Sequence, residues 1–260
     1  MNFFLKYFSL VSAIALSLLC PIPCGAEKVQ ISPPIFIAHA GGGINQLTYT
    51  NSLEALDSNY NKGFRCFEID FSWTLDQELV AIHDWEKSLL KDYQVVGKEI
   101  PRLAEFLLLK TKTGLTQLSL EEILRWAADK EDAFIVTDVK SENLKALGKI
   151  SRDFEKYMGI IVPQVYSYDE YDEVMRLGYD NIILTIYRME TNLDELKKFS
   201  DNRQPFAITM PWGVAKSGIA KYLSNKRTKV YAHTINNIDL LVLLRKHNVW
   251  GIYTDFIHPP

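Results

Sequence analysis

Eight short apolar runs separated by amphipathic stretches constrain this chain more than any other feature it has. The runs at 35–38, 66–71, 134–139, 161–166, 182–187, 206–209, 230–234 and 251–254 read as strands. The stretches at 52–62, 120–129, 142–157, 169–176, 193–200, 215–223 and 238–247 carry helical periodicity. Several strand candidates, such as Ile182-Ile183-Leu184-Thr185-Ile186, are apolar almost throughout, as burial on both faces of a parallel sheet requires. Helices of this length are the usual crossovers between parallel strands. Eight such units predict an α/β fold of the (β/α)8 TIM-barrel type. A doubly wound open sheet is the competing arrangement, but no Gly-x-Gly-x-x-Gly turn follows the first strand. A short extra strand at 79–82 predicts a hairpin on the second strand. Segment 85–118 exceeds a normal βα loop and predicts an insertion over the barrel mouth after strand two, with a short helix near 103–110.

Residues 1–26 have a different character. Lys6 precedes an apolar run over 7–20, then Pro21, Pro23 and small residues ending at Ala26, the layout of a signal peptide. The expectation is cleavage after Ala26 and export, with 27–260 forming one barrel domain. Cleavage would remove Cys20 and Cys24 and leave Cys66 without a disulfide partner. Cys66 itself reads as a small core residue. The formal net charge of -3 shows no basic excess of the kind that non-specific nucleic-acid binding demands, so no nucleic-acid partner is expected.

Chemistry in such barrels sits at the C-terminal ends of the strands. Strand one ends in His39, followed by Ala40-Gly41-Gly42-Gly43, and strand two carries Glu68-Ile69-Asp70. The i, i+2 spacing sets both carboxylates on one face of that strand. Asp138 and Lys140 repeat the spacing on the next strand, the hairpin ends in His83-Asp84, and the last strands offer His233 and Asp255. Carboxylates in apolar strands are costly unless positive charge lies among them. Glu68, Asp70 and Asp138 offer hard oxygen ligands for one divalent cation, Mg2+ or Ca2+. An ion-pair network with Lys140 and Arg188 is the structural alternative. His39 and His83 flank the cluster and suit an acid/base pair near neutral pH. Asp84 reads as a turn or helix-cap residue rather than an orienter of His83. His233 either lines the pocket or caps its strand.

His39-Ala40-Gly41, Thr50-Asn51-Ser52-Leu53-Glu54-Ala55, Glu68-x-Asp70 and Val80-Ala81-Ile82-His83-Asp84 resemble the glycerophosphodiester phosphodiesterases. That family reads His-Arg-Gly, Pro-Glu-Asn-Thr, Glu-x-Asp and His-Asp in this order and at similar spacing. Asp138-x-Lys140 stands where the family usually has Glu-x-Lys, and Gly251-Ile252-Tyr253-Thr254-Asp255 resembles its closing Gly-x-x-Thr-Asp. The resemblance covers 35–256. It implies a phospholipase-C-like phosphodiesterase barrel, one divalent cation and two histidines acting on a phosphodiester, with Lys140 adding positive charge in the transition state. Three departures stand out. Ala40 replaces the family's arginine, Asp138 resembles the Asp-x-Lys of spider-type phospholipase D enzymes, and His233 stands where the family often has tryptophan.

Three functions follow as expectations. The first is a metal-dependent phosphoric diester hydrolase acting on glycerophosphodiesters or related lipid-derived diesters. The second is a phospholipase of C or D type acting on intact phospholipid. The third is a degenerate barrel that binds a phosphodiester without turnover. Peripheral membrane contact would need an exposed rim, for which Trp85 and Phe106-Leu107-Leu108-Leu109 are the candidates; a buried helix is the other reading of that stretch.

Overall fold

Side-chain alternation along eight parallel strands sorts this chain into a filled barrel and an outer shell. The computed structural model describes residues 32–260 apart from 96, 98 and 191. The expected signal segment, 1–26, therefore lies outside the described residues. The strands are β1 (Phe36–Ala38), β2 (Cys66–Trp73), β3 (Leu79–Ala81), β4 (Phe134–Val139), β5 (Ile161–Val165), β6 (Ile183–Thr185), β7 (Ala207–Pro211), β8 (Lys229–His233) and β9 (Gly251–Thr254). Their order is β1-β9-β8-β7-β6-β5-β4-β2-β3, and an additional β1–β2 pairing closes the ring. All barrel pairings are parallel; β3 alone runs antiparallel, against β2. This is the expected (β/α)8 barrel with its hairpin after strand two.

One apolar layer fills the barrel interior. Each of the eight barrel strands contributes one residue: Ile37, Cys66, Val136, Val162, Ile183, Ala207, Tyr231 and Tyr253. Cys66 is buried here, and burial pushes its thiol up to about 12, which makes it a packing residue without nucleophilic character. The outward faces pack against the helices in a larger core that includes Phe67, Ile69, Leu124, Ile135, Leu147 and Ile208.

The helices begin where the side chains dictate. Ser52, Ser119 and Ser167 accept hydrogen bonds from the backbone N–H three residues on, which satisfies donors that have no intrahelical partner. Ser119 and Glu122 form a reciprocal capping box. The helix expected over 142–157 is Asn143–Asp153, followed by a tighter 3-10 turn at Glu155–Ile160. The one expected over 215–223 is bent at Gly218, whose φ is +90°.

The insertion has its own small core of Val80, Ile82, Leu89, Tyr93 and Phe106. It contains helices Leu103–Leu108, as expected, and Ser88–Asp92, which the sequence did not reveal. Phe106 is fully buried against the edge of Trp85, so the buried-helix reading holds for that residue; Leu108 is exposed. Among the described residues no helix is long and apolar enough to cross a membrane.

Candidate active site

Two residues beyond the apolar layer, the same alternation brings up a polar one. Position i+2 on the eight strands is His39, Glu68, Asp138, Gln164, Thr185, Thr209, His233 and Asp255. Seven of these, all but Asp255, line one cavity of about 220 Å3 at the C-terminal mouth, together with Asp70, Lys140, Tyr49, Tyr187 and His83. His39, Glu68, Asp70, His83, Asp138 and Lys140, the residues expected to hold the cation or act on the substrate, are therefore in one place.

Oxygen atoms of Glu68, Asp70 and Asp138 all lie within 4.8 Å of one another, and all three residues are buried. Asp70 and Asp138 are register partners on β2 and β4. Asn51 fixes the first: its Nδ2 donates to Asp70 Oδ2 at 2.9 Å, and its Oδ1 accepts from the Asp70 backbone N–H at 3.0 Å. Lys140 Nζ pairs with Asp70 and, at 2.7 Å, with Asp138. Asp138 also accepts from the Tyr166 hydroxyl and lies 3.3 Å from Arg188, whose guanidinium covers the Tyr166 ring at 3.9 Å. Burial opposes the charge on Asp138, but Lys140 and these donors hold its carboxyl below the usual range. The ion-pair alternative is thus present in part, through Lys140 and Arg188.

Glu68 is different. Its Oε2 accepts from the Ala40 backbone N–H at 2.8 Å, while its Oε1 is buried without a hydrogen-bond partner among the described residues. Burial, reinforced by the charge of Asp70, pushes its carboxyl up to about 8. A buried, unpartnered carboxylate oxygen beside two further carboxylates fits a hard divalent cation. Glu68, Asp70 and Asp138 are the residues that would hold it.

The two histidines are anchored alike. His39 Nδ1 lies 2.9 Å from Asp255 Oδ1, and His83 Nδ1 lies 2.9 Å from Asp84 Oδ2. In each ring this leaves Nε2 as the nitrogen available to a substrate. Burial disfavours the charged form of His39, but the Asp255 hydrogen bond and the charges of Glu68, Asp255 and Asp70 outweigh it and raise His39 to about 9. Asp84 does more than the sequence suggested. Its Oδ1 accepts from the N–H groups of Lys87 and Ser88, the expected cap role, while its Oδ2 also holds His83. Asp255 in turn accepts from Asn236 at 2.6 Å.

His233 lines the cavity, which decides between its two expected roles. Its Nε2 is buried without a partner among the described residues, and burial, aided by the charge of His39, lowers it to about 4. Ala40 is fully buried at φ 49°, and its contribution to the site is the backbone N–H on Glu68.

Sequence reasoning missed Tyr49. Its ring stands edge-on between the two imidazoles, 4.6 Å from His39 and 5.5 Å from His83. Thr185, Thr209 and Tyr187 were also missed. The two threonines share the inward register of residues already singled out, a signal that extending the period-two pattern to all strands would have used.

No protein-family model matches the sequence, and no curated protein does. Solved structures do match. A glycerophosphodiester phosphodiesterase from Thermotoga maritima superposes with a TM-score of 0.69 at 18% identity, over 87% of this chain and 96% of that one. A second, from Parabacteroides distasonis, gives 0.67 at 20% identity, over 85% and 92%. An Oleispira antarctica phosphodiesterase, solved with its product sn-glycerol-3-phosphate, gives 0.66 at 16% identity, over 86% and 93%. The chain therefore has the fold of the glycerophosphodiester phosphodiesterases, a closed (β/α)8 barrel, over nearly its whole described length.

Proposed function

We propose that this protein is an enzyme, an exported, metal-dependent phosphoric diester hydrolase that acts on glycerophosphodiesters or related lipid-derived diesters. The observation that carries this reading is the pair of carboxylate-anchored histidines placed around three buried carboxylates in one cavity. The product held by the Oleispira antarctica structure, a glycerol phosphate on the same fold, supports the substrate class.

The cation, Mg2+ or Ca2+, would supply Lewis-acid polarisation of a phosphoryl oxygen when bound to Glu68, Asp70 and Asp138. The chain's own groups do the rest. One histidine takes the proton of the attacking hydroxyl or water at its Nε2, and the other returns a proton to the departing alcohol. Asp255 and Asp84 keep the rings oriented through Nδ1. Lys140 opposes the negative charge that develops at phosphorus, while Arg188 holds Asp138 from behind. Export with cleavage after Ala26 rests on the Lys6–Ala26 layout; exported protein that begins at Met1 would overturn the cleavage, and protein found only inside the cell would overturn the export.

The deciding assay is hydrolysis of soluble glycerophosphodiesters and of phospholipid in mixed micelles, each with and without EDTA. EDTA-sensitive release of alcohol from the soluble diesters is the expected result. Turnover of micellar phospholipid alone would instead select the phospholipase reading and its membrane contact. No turnover of either would leave a binding barrel, the outcome that Ala40 favours.

A further inference from the structure

The catalytic cavity has a neighbour. A second cavity, also about 220 Å3, lies between the loop carrying residues 46–52, the end of the β3 hairpin and the insertion. The two share only Tyr49 and His83 among their lining residues. Tyr49 is held in left-handed backbone at φ 58°, between Gln46 at 65° and Asn51 at 46°. Such a run of strained non-glycine residues persists only where the surrounding structure enforces it, and it concentrates at functional sites. Here it stands a tyrosine ring as the wall between two chambers.

The chambers differ in chemistry. The first holds the carboxylates and Lys140. The second is lined mainly by hydroxyl and amide side chains, including Thr48, Thr111, Thr113 and Gln117. Among the described residues the hydroxyls of Thr48, half-buried, and Thr113, exposed, have no protein partner, so both are open to water or to a ligand hydroxyl. Its single cation, Lys91, lies 3.6 Å from Asp92, so the lining carries no uncompensated charge. A charged headgroup entering it would find no free counter-charge. Tyr93 adds a buried ring, and polar rings of this kind suit the mixed surface of a sugar or cyclitol. The volume falls below the roughly 300 Å3 at which pockets for drug-sized ligands begin.

Building on the phosphodiesterase reading above, we propose that this second cavity is the subsite for the alcohol half of the diester, and that it takes a small, neutral polyhydroxy alcohol. The phosphoryl group then lies over the carboxylates, His83 sits at the boundary where the alcohol oxygen meets phosphorus, and Tyr49 separates the charged half from the neutral one. Hydrolysis breaks the phosphorus–oxygen bond of that alcohol; water supplies the oxygen kept by phosphate, and one proton passes to the alcohol oxygen released into the second cavity.

The test uses two variants that add bulk to the second cavity from different walls, Thr113→Trp and Thr48→Trp, both at positions outside the lining of the first cavity. Two soluble diesters serve as probes, sn-glycero-3-phospho-myo-inositol and sn-glycero-3-phosphomethanol. Both variants should raise KM for the inositol diester by about tenfold or more while leaving kcat/KM for the methyl diester within about twofold. Saturation-transfer NMR should detect free myo-inositol on the wild type and on His39→Ala, and on neither filler variant. Equal losses on both diesters, or no loss on either, overturn the subsite. Turnover by a wild type that binds no inositol overturns the subsite and leaves the hydrolase standing. Inositol binding without turnover of any diester leaves the cavity standing and overturns the hydrolase.

Discussion

Asp70 and Asp138 sit directly opposite one another on neighbouring parallel strands, and the ammonium of Lys140 is lodged against both carboxylates. Two like charges in register are tolerable in an apolar barrel only because this cation is present.

Lys140→Met should therefore cost about 3–5 kcal/mol at neutral pH in EDTA, the range for stranding one side of a buried ion pair. The loss should shrink as pH falls and the stranded acids take up protons. Mg2+ or Ca2+ should raise the melting temperature of the variant more than that of the wild type. A variant as stable as the wild type in EDTA at pH 7 would remove Lys140 from this role.

Glu68 gives a second pH signature. Its folded-state carboxyl is raised from an ordinary value of 4.5 to about 8. A carboxyl so raised binds its proton more tightly folded than unfolded, so metal-free stability should decline as pH rises between these two values. Glu68→Gln should flatten that decline, and it should weaken divalent-cation binding by about an order of magnitude or more. Calorimetry with Mg2+ and Ca2+, with thermal melts between about pH 5 and 8, reads both effects.

The imidazoles should each matter by about 10²–10⁴-fold in kcat, the usual contribution of a positioned proton-transfer group. His39→Ala and His83→Ala should remain folded and keep cation affinity. The double variant should lose far less than the product of the single losses, because both groups serve one reaction coordinate. Full activity in either single variant would dismiss the pair.

Asp255→Asn tests how His39 is held. The substitution removes a hydrogen bond and a charge that raise His39 towards 9. The limb of the pH–rate profile that belongs to His39 should move to lower pH, while substrate KM changes little. An unmoved limb would mean that Asp255 has no hold on the ring's protonation.

Gly42→Ala probes the loop under His39. Gly42 has φ +87°, and a built Cβ would lie 2.4 Å from Asn59 Nδ2. Asn59 meanwhile donates to the carbonyls of Gly41 and Gly43, so it cannot withdraw without releasing the loop. A cost of about 1–3 kcal/mol by overpacking is expected, read by denaturant unfolding, together with reduced turnover as His39 shifts.

The barrel and the charged part of its mouth were legible in the sequence for one physical reason. Period-two alternation forces residues two apart onto one face, so Glu68 with Asp70 and Asp138 with Lys140 announce themselves within apolar runs. Thr185 and Thr209 use the same register but look like ordinary β-branched strand formers. Tyr49 was hidden because its position comes from left-handed backbone in a loop, which no periodicity reports. The double use of Asp84 was hidden because adjacent side chains usually diverge; here the turn into Ser88–Asp92 brings its carboxylate back to His83. The five-residue length of that helix gave it too little periodicity to be seen.

The seam of the barrel has a consequence in time. β1 is flanked by β2 and by β9, and the ring of His39 takes its anchor 216 residues further along the chain. A growing polypeptide thus acquires all three carboxylates and both imidazoles long before it acquires Asp255 and the strand that shuts the ring. Contacts this distant in sequence form late. The site is accordingly completed only with the last strand, so turnover by the proposed hydrolase would report completed folding and would be absent from a nascent chain or one nicked ahead of that strand.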